Sequence, residues 1–376
     1  MEKSVAQVSV GHLADDQRIF GKEARTLAEA GYEVAYVVHD APGGDQDGVS
    51  FVDLGVRRRR LNRFWHSLFK ILPKLRKLPH RVFQIHEPEL LLAGFCMQLL
   101  GRKVIYDSHE DTPRQILAKP WIPKPLRSLV SRLTELVEGF ICSRISGVVA
   151  ATPRIAERFD SNKTVTVQNF PVLTEFSKVE RSFESEDRRK VLVYVGGLTR
   201  ARGIVECLRA LELLPDFTMH VAGPWESEQF KQECLEVCHN FTDRITFHGV
   251  LTRDKIVELL SSASIGMVTL HPFINYQEAY PVKMFEYMAS GLPVVASDFP
   301  LWRRIVEGAE CGELVDPLDP KAIAAAARRI AGDPKRMAHM SESGRVAVEQ
   351  EYSWERQAEK LVEFYETKIF SDTGVV

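Results

Sequence analysis

Two hydrophobic rhythms alternate along this chain. Short, β-branched apolar runs bounded by turn residues predict strands near Val5–Val10, Glu33–Asp40, Ser50–Val56, Arg81–His86, Lys103–Asp107, Gly147–Ala151 and Thr164–Gln168. Amphipathic stretches such as Asp16–Ala30 and Glu89–Leu100 predict helices between them. The second half repeats the rhythm, with strands at Lys190–Val195, Phe217–Ala222, Ile245–Val250, Ile265–Leu270, Pro293–Ser297 and Glu313–Val315. Helical patterns over Pro320–Ala331, Pro334–Glu351 and Trp354–Phe370 close the chain. Apolar strands alternating with helices indicate parallel sheets covered on both faces. The polar run Ser177–Lys190 reads as a linker between two such patterns. The expected fold class is therefore α/β, with two Rossmann-like, doubly wound parallel-sheet domains facing a cleft, 1–172 and 173–353.

Length supports two domains, because 376 residues exceed one ordinary core. A net charge of −2 argues against a nucleic-acid binder. Six cysteines scattered through helical and strand patterns read as reduced thiols. No apolar run reaches membrane-spanning length, and the N-terminal residues lack the apolar segment of a signal peptide, so the protein is expected in the cytoplasm. One segment qualifies that picture. From Arg57 to Arg81 many basic residues interleave with Phe64, Trp65, Leu68, Phe69 and Ile71, and no acidic residue interrupts them. Such a segment fits an anionic membrane surface, making the inner face of the membrane a candidate peripheral location. The alternative is a domain helix whose apolar stripe is core. Lys119–Leu133 has a similar flavour.

Ligands of open parallel sheets bind beyond the carboxyl ends of strands, so chemistry is sought there. The strand YVGGLTRARGI ends in Gly196 and Gly197, followed by Arg200, Arg202 and Gly203. This is not a GxGxxG fingerprint, but a Gly-rich turn with arginines suits phosphate. His248-Gly249-Val250 could present backbone groups to a flat base. In EAYPVKMFEYMASGLPVVASD, Pro281 suits a helix start, with Lys283 and Glu286 in its opening turns. Free helix-start N–H groups, an ammonium and a carboxylate form a grip for a nucleotide diphosphate sugar; a Lys283–Glu286 salt bridge is the bland alternative. In the first half, three strand ends carry histidines and carboxylates: His12, Asp15, Asp16 and Arg18; His86 and Glu87; Asp107, His109 and Glu110.

Taken together, YVGGLTRARGI, HVAGP, FHGVL and EAYPVKMFEYMASGLPVVASD resemble the donor-binding half of a family 4 glycosyltransferase with the GT-B fold. The family's E-x7-E pattern is met by Glu278 and Glu286, and its basic residue past the first Gly-rich turn by Arg202. One departure is Gly197, where many members carry arginine. The first half is similar to the same family more loosely. The resemblance implies retaining transfer of a sugar from a UDP-, GDP- or ADP-sugar to a glycan or lipid-linked acceptor, without cofactor or metal. It implies that His109, Glu278, Arg202 and Lys283 are catalytic. Gly196, Gly197, Gly249, Tyr280, Val282 and Glu286 join Arg202 and Lys283 around the donor, with Glu286 on the ribose. His12, Asp16, Arg18 and His86 become acceptor contacts. The last helix, about 354–376, is expected to cross back onto the first domain. A nucleotide-sugar epimerase, a sugar phosphorylase or a non-catalytic sugar-nucleotide binding protein of the same fold are the rivals. Asp45-Gln46-Asp47 matches the DxD metal motif of another glycosyltransferase fold, but in PGGDQDG its aspartates read as turn formers.

Overall fold

The computed structural model describes residues 3–55, 66–118, 122–177, 179 and 185–371. The sequence expectations for 57–65, for Lys119–Trp121 and for most of the 177–190 join lie outside them. The chain forms two compact units, Met1–Asn169 with Arg356–Val376, and Phe170–Glu355. Phe170 goes with the second because its ring packs edge-on against Phe285 and Tyr352.

The first unit is built on eight strands: β1 (Ser4–Val8), β2 (Glu33–Val38), β3 (Asp45–Gln46), β4 (Val49–Asp53), β5 (Val82–Ile85), β6 (Lys103–Ser108), β7 (Gly147–Ala150) and β8 (Thr164–Thr166). Their order is β3-β4-β2-β1-β5-β6-β7-β8. All pair in parallel except β3, which meets β4 antiparallel across a hairpin at Asp47-Gly48. Both turn residues have positive φ, 52° and 76°, so the DxD match is a tight turn. Every residue of β1, β5 and β7 is buried, as expected of strands covered on both faces. The last helix, Trp354–Phe364, carries the chain back to this unit: Phe364 lies so close to Gly147 that a Cβ there would meet its ring at 2.6 Å.

The second unit has six parallel strands, β9 (Val191–Val195), β10 (Thr218–Ala222), β11 (Ile245–Gly249), β12 (Ile265–Val268), β13 (Val294–Ser297) and β14 (Gly312–Val315), ordered β11-β10-β9-β12-β13-β14. The strand order reverses between β9 and β12, and in the first unit between β1 and β5. Those switch points are where open sheets leave a crevice for ligands.

Close approach at the second switch point depends on two glycines. Gly203 turns in the left-handed region (φ 74°), and a Cβ there would sit 1.8 Å from the Thr269 carbonyl oxygen. Gly266 lets Tyr287 lie flat on β12, since a Cβ would meet that ring at 2.2 Å. Gly203→Ala is therefore expected to destabilise the protein by about 2–3 kcal/mol from φ strain plus overpacking. The exposed Gly43→Ala, where a Cβ meets nothing within 4 Å, is expected to be near neutral. Chemical denaturation of both variants checks the contrast.

Candidate functional site

In the second unit the loop after β9 and the helix Val282–Ala289 build the donor side. Thr199 Oγ1 accepts from the Arg202 N–H, closing a short turn over Arg200–Arg202 before helix Ile204–Glu212 begins at Gly203. The Tyr194 hydroxyl, reaching out from β9, donates to the carbonyls of Gly197 (3.3 Å) and Arg202 (3.1 Å) and so fixes the turn. The Arg202 guanidinium folds back over the glycines: a Cβ on Gly197 would meet its Nη1 at 3.1 Å. Gly197, the departure from the family pattern, thus clears the space that Arg202 occupies.

Helix Val282–Ala289 starts at Pro281 with no side-chain cap, which leaves first-turn N–H groups for a ligand. The Tyr287 hydroxyl accepts from the Val195 N–H at 2.8 Å, docking the helix on β9. That docking places the Lys283 ammonium 3.7 Å from the centre of the Tyr194 ring. Its Nζ is shut away from solvent and has no hydrogen-bond partner among the described residues. Burial pulls its pKa down to about 7, with Arg202 adding to the fall against an upward pull from Cys207. A buried cation without a counter-ion is costly. It marks the place where an anion would be most strongly stabilised.

The sequence left open whether Lys283 and Glu286 pair with each other, and they do not. Glu286 is buried and bonds Arg253, which also holds Glu175 at 2.6 Å. Arg253 had no signal in the sequence; it begins a helix after β11 and is brought to Glu286 only by the sheet. Tyr280 and Val282 are half-buried at the helix start, and the Tyr280 ring stacks on Phe285. Glu278 is also half-buried. Gly249 is exposed at the end of β11 (φ 68°), its carbonyl accepting from the Gly223 N–H at 2.7 Å.

In the first unit, the ends of β1, β5 and β6 bring together the residues singled out there. Asp107 is fully buried and ion-paired to Arg18 through both carboxylate oxygens, at 2.9 and 3.2 Å. Its burial works against ionisation, but Arg18 and the two histidines hold its carboxyl well below the usual range. Glu23 also touches Arg18, at 3.0 Å. Burial and the Asp107 charge push Glu23 well up, so Asp107 carries the negative charge of the group. The same Asp107 oxygen accepts from His109 Nε2 (2.9 Å) and lies 3.1 Å from His86 Nδ1.

Two expectations are corrected here. Arg18 and His86, read as acceptor contacts, are 5% and 2% exposed. Arg18 is occupied by Asp107, Glu23 and the Val167 carbonyl, and His86 by Asp107 and Gln7. His86 Nδ1 lies 3.0 Å from His109 Nε2, and Arg18 acts on His109 through the Asp107 carboxylate they share. Asp16 uses Oδ1 to accept the N–H groups of Arg18 and Ile19, so it caps the turn into helix Ile19–Ala24. His12 and His109 both keep some access to solvent, as do Asp15, Asp16 and Glu110, and the two imidazole rings stack with centroids 5.1 Å apart.

Glu87 fixes His12. It accepts from His12 Nδ1 (2.9 Å), Ser9 Oγ (2.5 Å) and the N–H groups of Val10 (3.0 Å) and Gly11 (2.7 Å). Burial opposes its charge, yet these donors win and lower its pKa to about 2. Burial likewise opposes the His12 charge, and the Glu87 bond overcomes it, so His12 is raised. Among the described residues His86, Asp107 and His109 have the donor set for a metal ion. The Arg18 guanidinium already neutralises that carboxylate, and its charge repels a second cation.

Two family models match the chain: one described as "Glycosyl transferase 4-like domain" over residues 17–168, and one as "Glycosyl transferases group 1" over residues 175–347. A phosphatidyl-myo-inositol mannosyltransferase of Mycobacterium leprae is 22% identical over 378 residues, covering 98% of this chain and 94% of that protein. An uncharacterized glycosyltransferase of Methanocaldococcus jannaschii is 25% identical over 189 residues, so the match spans about half of each, 49% of this chain and 47% of the relative. Sucrose-phosphate synthase from Thermosynechococcus elongatus superposes with a TM-score of 0.73 at 19% identity, over 97% of this chain and 98% of that one. Anabaena HepE, solved with UDP, superposes with a TM-score of 0.71 at 14% identity, over 97% and 100%.

The Glu87 carboxylate contributes stability above its ordinary pKa, and that contribution is lost as pH falls toward 2. A shift of this size corresponds to roughly 3 kcal/mol. Glu87→Gln should therefore be less stable than wild type above about pH 5, and the gap should close in acid; denaturation at a series of pH values checks this. With two domain models in register along one chain and a GT-B architecture around them, the protein belongs to the glycosyltransferases of family 4 type.

Proposed function

We propose that this glycosyltransferase moves a sugar, with retention at the anomeric carbon, from a UDP-, GDP- or ADP-sugar to a hydroxyl of a glycan or lipid-linked acceptor. The observation that carries the reading is the buried Lys283 ammonium, which has no partner among the described residues, beside Arg202 and an uncapped helix start. These groups suit a departing diphosphate. As the bond from the anomeric carbon to the phosphate oxygen breaks, negative charge grows on that oxygen. Fixed cations and N–H groups near Tyr280, Val282 and Lys283 stabilise it without reorganising. A diphosphate neutralised by Lys283 and Arg202 needs no metal, and none is assigned a role.

Glu286, held by Arg253, is oriented to accept from ribose hydroxyls, and Glu278 from hydroxyls of the transferred sugar. Gly196 and Gly197 allow backbone approach to the phosphates, and Gly249 offers main-chain groups to the base. His109, with Nε2 committed to Asp107, is assigned to the transferred sugar through its other nitrogen. His12 is assigned to the acceptor. The acceptor proton passes to the departing phosphate, so no further protein base is required. A lipid-linked acceptor is supported by the relative matched along 94% of its length, whose name places its mannose on phosphatidyl-myo-inositol.

Lys283→Ala and Glu286→Ala are each expected to lower kcat by about 100-fold or more while far-UV circular dichroism stays native. A screen of nucleotide sugars with wild type supplies the substrate for that assay. Full activity in both variants would remove the donor-site assignment.

A further inference from the structure

Helix Lys124–Cys142 is turned inside out. Leu126, Leu129, Leu133, Leu136, Val137 and Phe140 recur at intervals that place them on one face, and that face is exposed: Leu129 is 64%, Leu133 60% and Leu136 70% accessible. The opposite face meets the domain with polar groups. Ser131 Oγ donates to the Pro113 carbonyl at 2.8 Å, and Glu138 accepts from the Tyr106 hydroxyl at 3.1 Å and pairs with Arg158. An amphipathic helix ordinarily turns its apolar stripe to the core. The last turn reaches the core through Ile141 and Cys142, but along the leucine stretch the helix is anchored through Ser131 and Glu138, so its own packing gives no reason for the leucines. Single exposed leucines are ordinary, but a continuous stripe about 21 Å long marks a partner surface.

Charge selects the partner. Lys124, Arg132 and Arg144 are exposed on the helix and at its end, against a single exposed carboxylate, Glu135. Beside it packs helix Leu91–Leu99, which carries no charged residue and exposes Leu99. Beside that helix packs the stretch Ser67–Leu75, with Phe69, Lys70 and Lys74 exposed and Arg76 and Lys77 following. The sequence reading put the membrane contact on 57–81; in its described part, Ile71 and Leu75 are fully buried core, so that stretch contributes mainly cationic heads. The apolar element lies further along the chain, beyond β6. A leucine face bordered by cations suits an interface of acyl chains and anionic headgroups. Two copies meeting through it would bring like charges together.

We infer that the exposed face of helix Lys124–Cys142, with the basic rim of 67–77, is a docking surface for an anionic phospholipid bilayer. The surface goes beyond the proposed reaction and stands whether or not the acceptor is lipid-linked. It lies on the crossover from β6 to β7, the connection that begins at His109, so an amphiphilic acceptor would be met beside the sugar-handling loop.

Sedimentation of the full chain with vesicles of phosphatidylcholine and phosphatidylglycerol tests it. Wild type is expected to bind these at low salt and to bind pure phosphatidylcholine far more weakly. L129Q/L133Q/L136Q should lower vesicle binding by about tenfold or more, and K70E/K74E should weaken it and flatten its salt dependence. To cover a variant that folds poorly, Leu133→Trp is read separately: the fluorescence it adds over wild type should shift blue on the vesicles and be quenched by brominated lipid. Failure of wild type to bind, or no blue shift of that added fluorescence, overturns the inference. A wild-type dimer that the leucine variant converts to monomer, without vesicle binding, also overturns it in favour of a second copy. Nucleotide-sugar binding measured without vesicles reports on the proposed reaction alone, so the two failures are distinguishable.

Discussion

The second unit is organised around one buried amine, unpaired among the described residues, whose pKa is lowered to about 7. The Lys283 ammonium rests on the Tyr194 ring, closed off from solvent, with no carboxylate among the described residues to answer it. Holding a cation there requires a rigid frame, and several otherwise unrelated features provide it. Gly266 lets Tyr287 lie on β12, Tyr287 bonds β9, and Gly203 lets the loop after β9 close on Thr269. Arg202 then lies over Gly196-Gly197, adding a second positive group. A site whose cations are in place before the ligand arrives stabilises charge without first moving, which is the main route by which enzymes lower barriers of this kind.

The first unit handles buried charge in the opposite way, by pairing it. Arg18 and Asp107, 89 positions apart, neutralise each other in the core, and Asp107 uses its remaining capacity to hold His86 and His109. Glu87 does the same for His12 and the loop after β1. The network continues from Glu23 through Gln84 to the Tyr365 hydroxyl, tying the end of the chain into the sheet that carries the site. Satisfied networks of this kind fix geometry. They leave the His12 and His109 imidazoles held in place yet partly open to solvent.

Much of the fold was legible because most strands are short apolar runs bounded by turn residues, and every expected strand is present to within a few residues. The strand not expected is β3, two residues long and too short for any periodicity. The candidate donor residues stood out in the sequence because Gly196 to Gly203 and Glu278 to Glu286 are local patterns. What was not legible required partners distant in sequence. Nothing adjacent to Arg18 reveals that Asp107 buries it, and nothing near Glu286 points to Arg253. Helix Lys124–Cys142 shows a different limit: periodicity locates an apolar stripe but not the side of the helix that faces the core.

The most direct test of this account is the ionisation of Lys283, followed by nitrogen-15 NMR of its side chain with and without a nucleoside diphosphate. The account predicts that the free protein shows a pKa of about 7, and that the bound diphosphate moves it up by at least about one unit. An ordinary lysine value in the free protein, unchanged when the nucleotide binds, would contradict it.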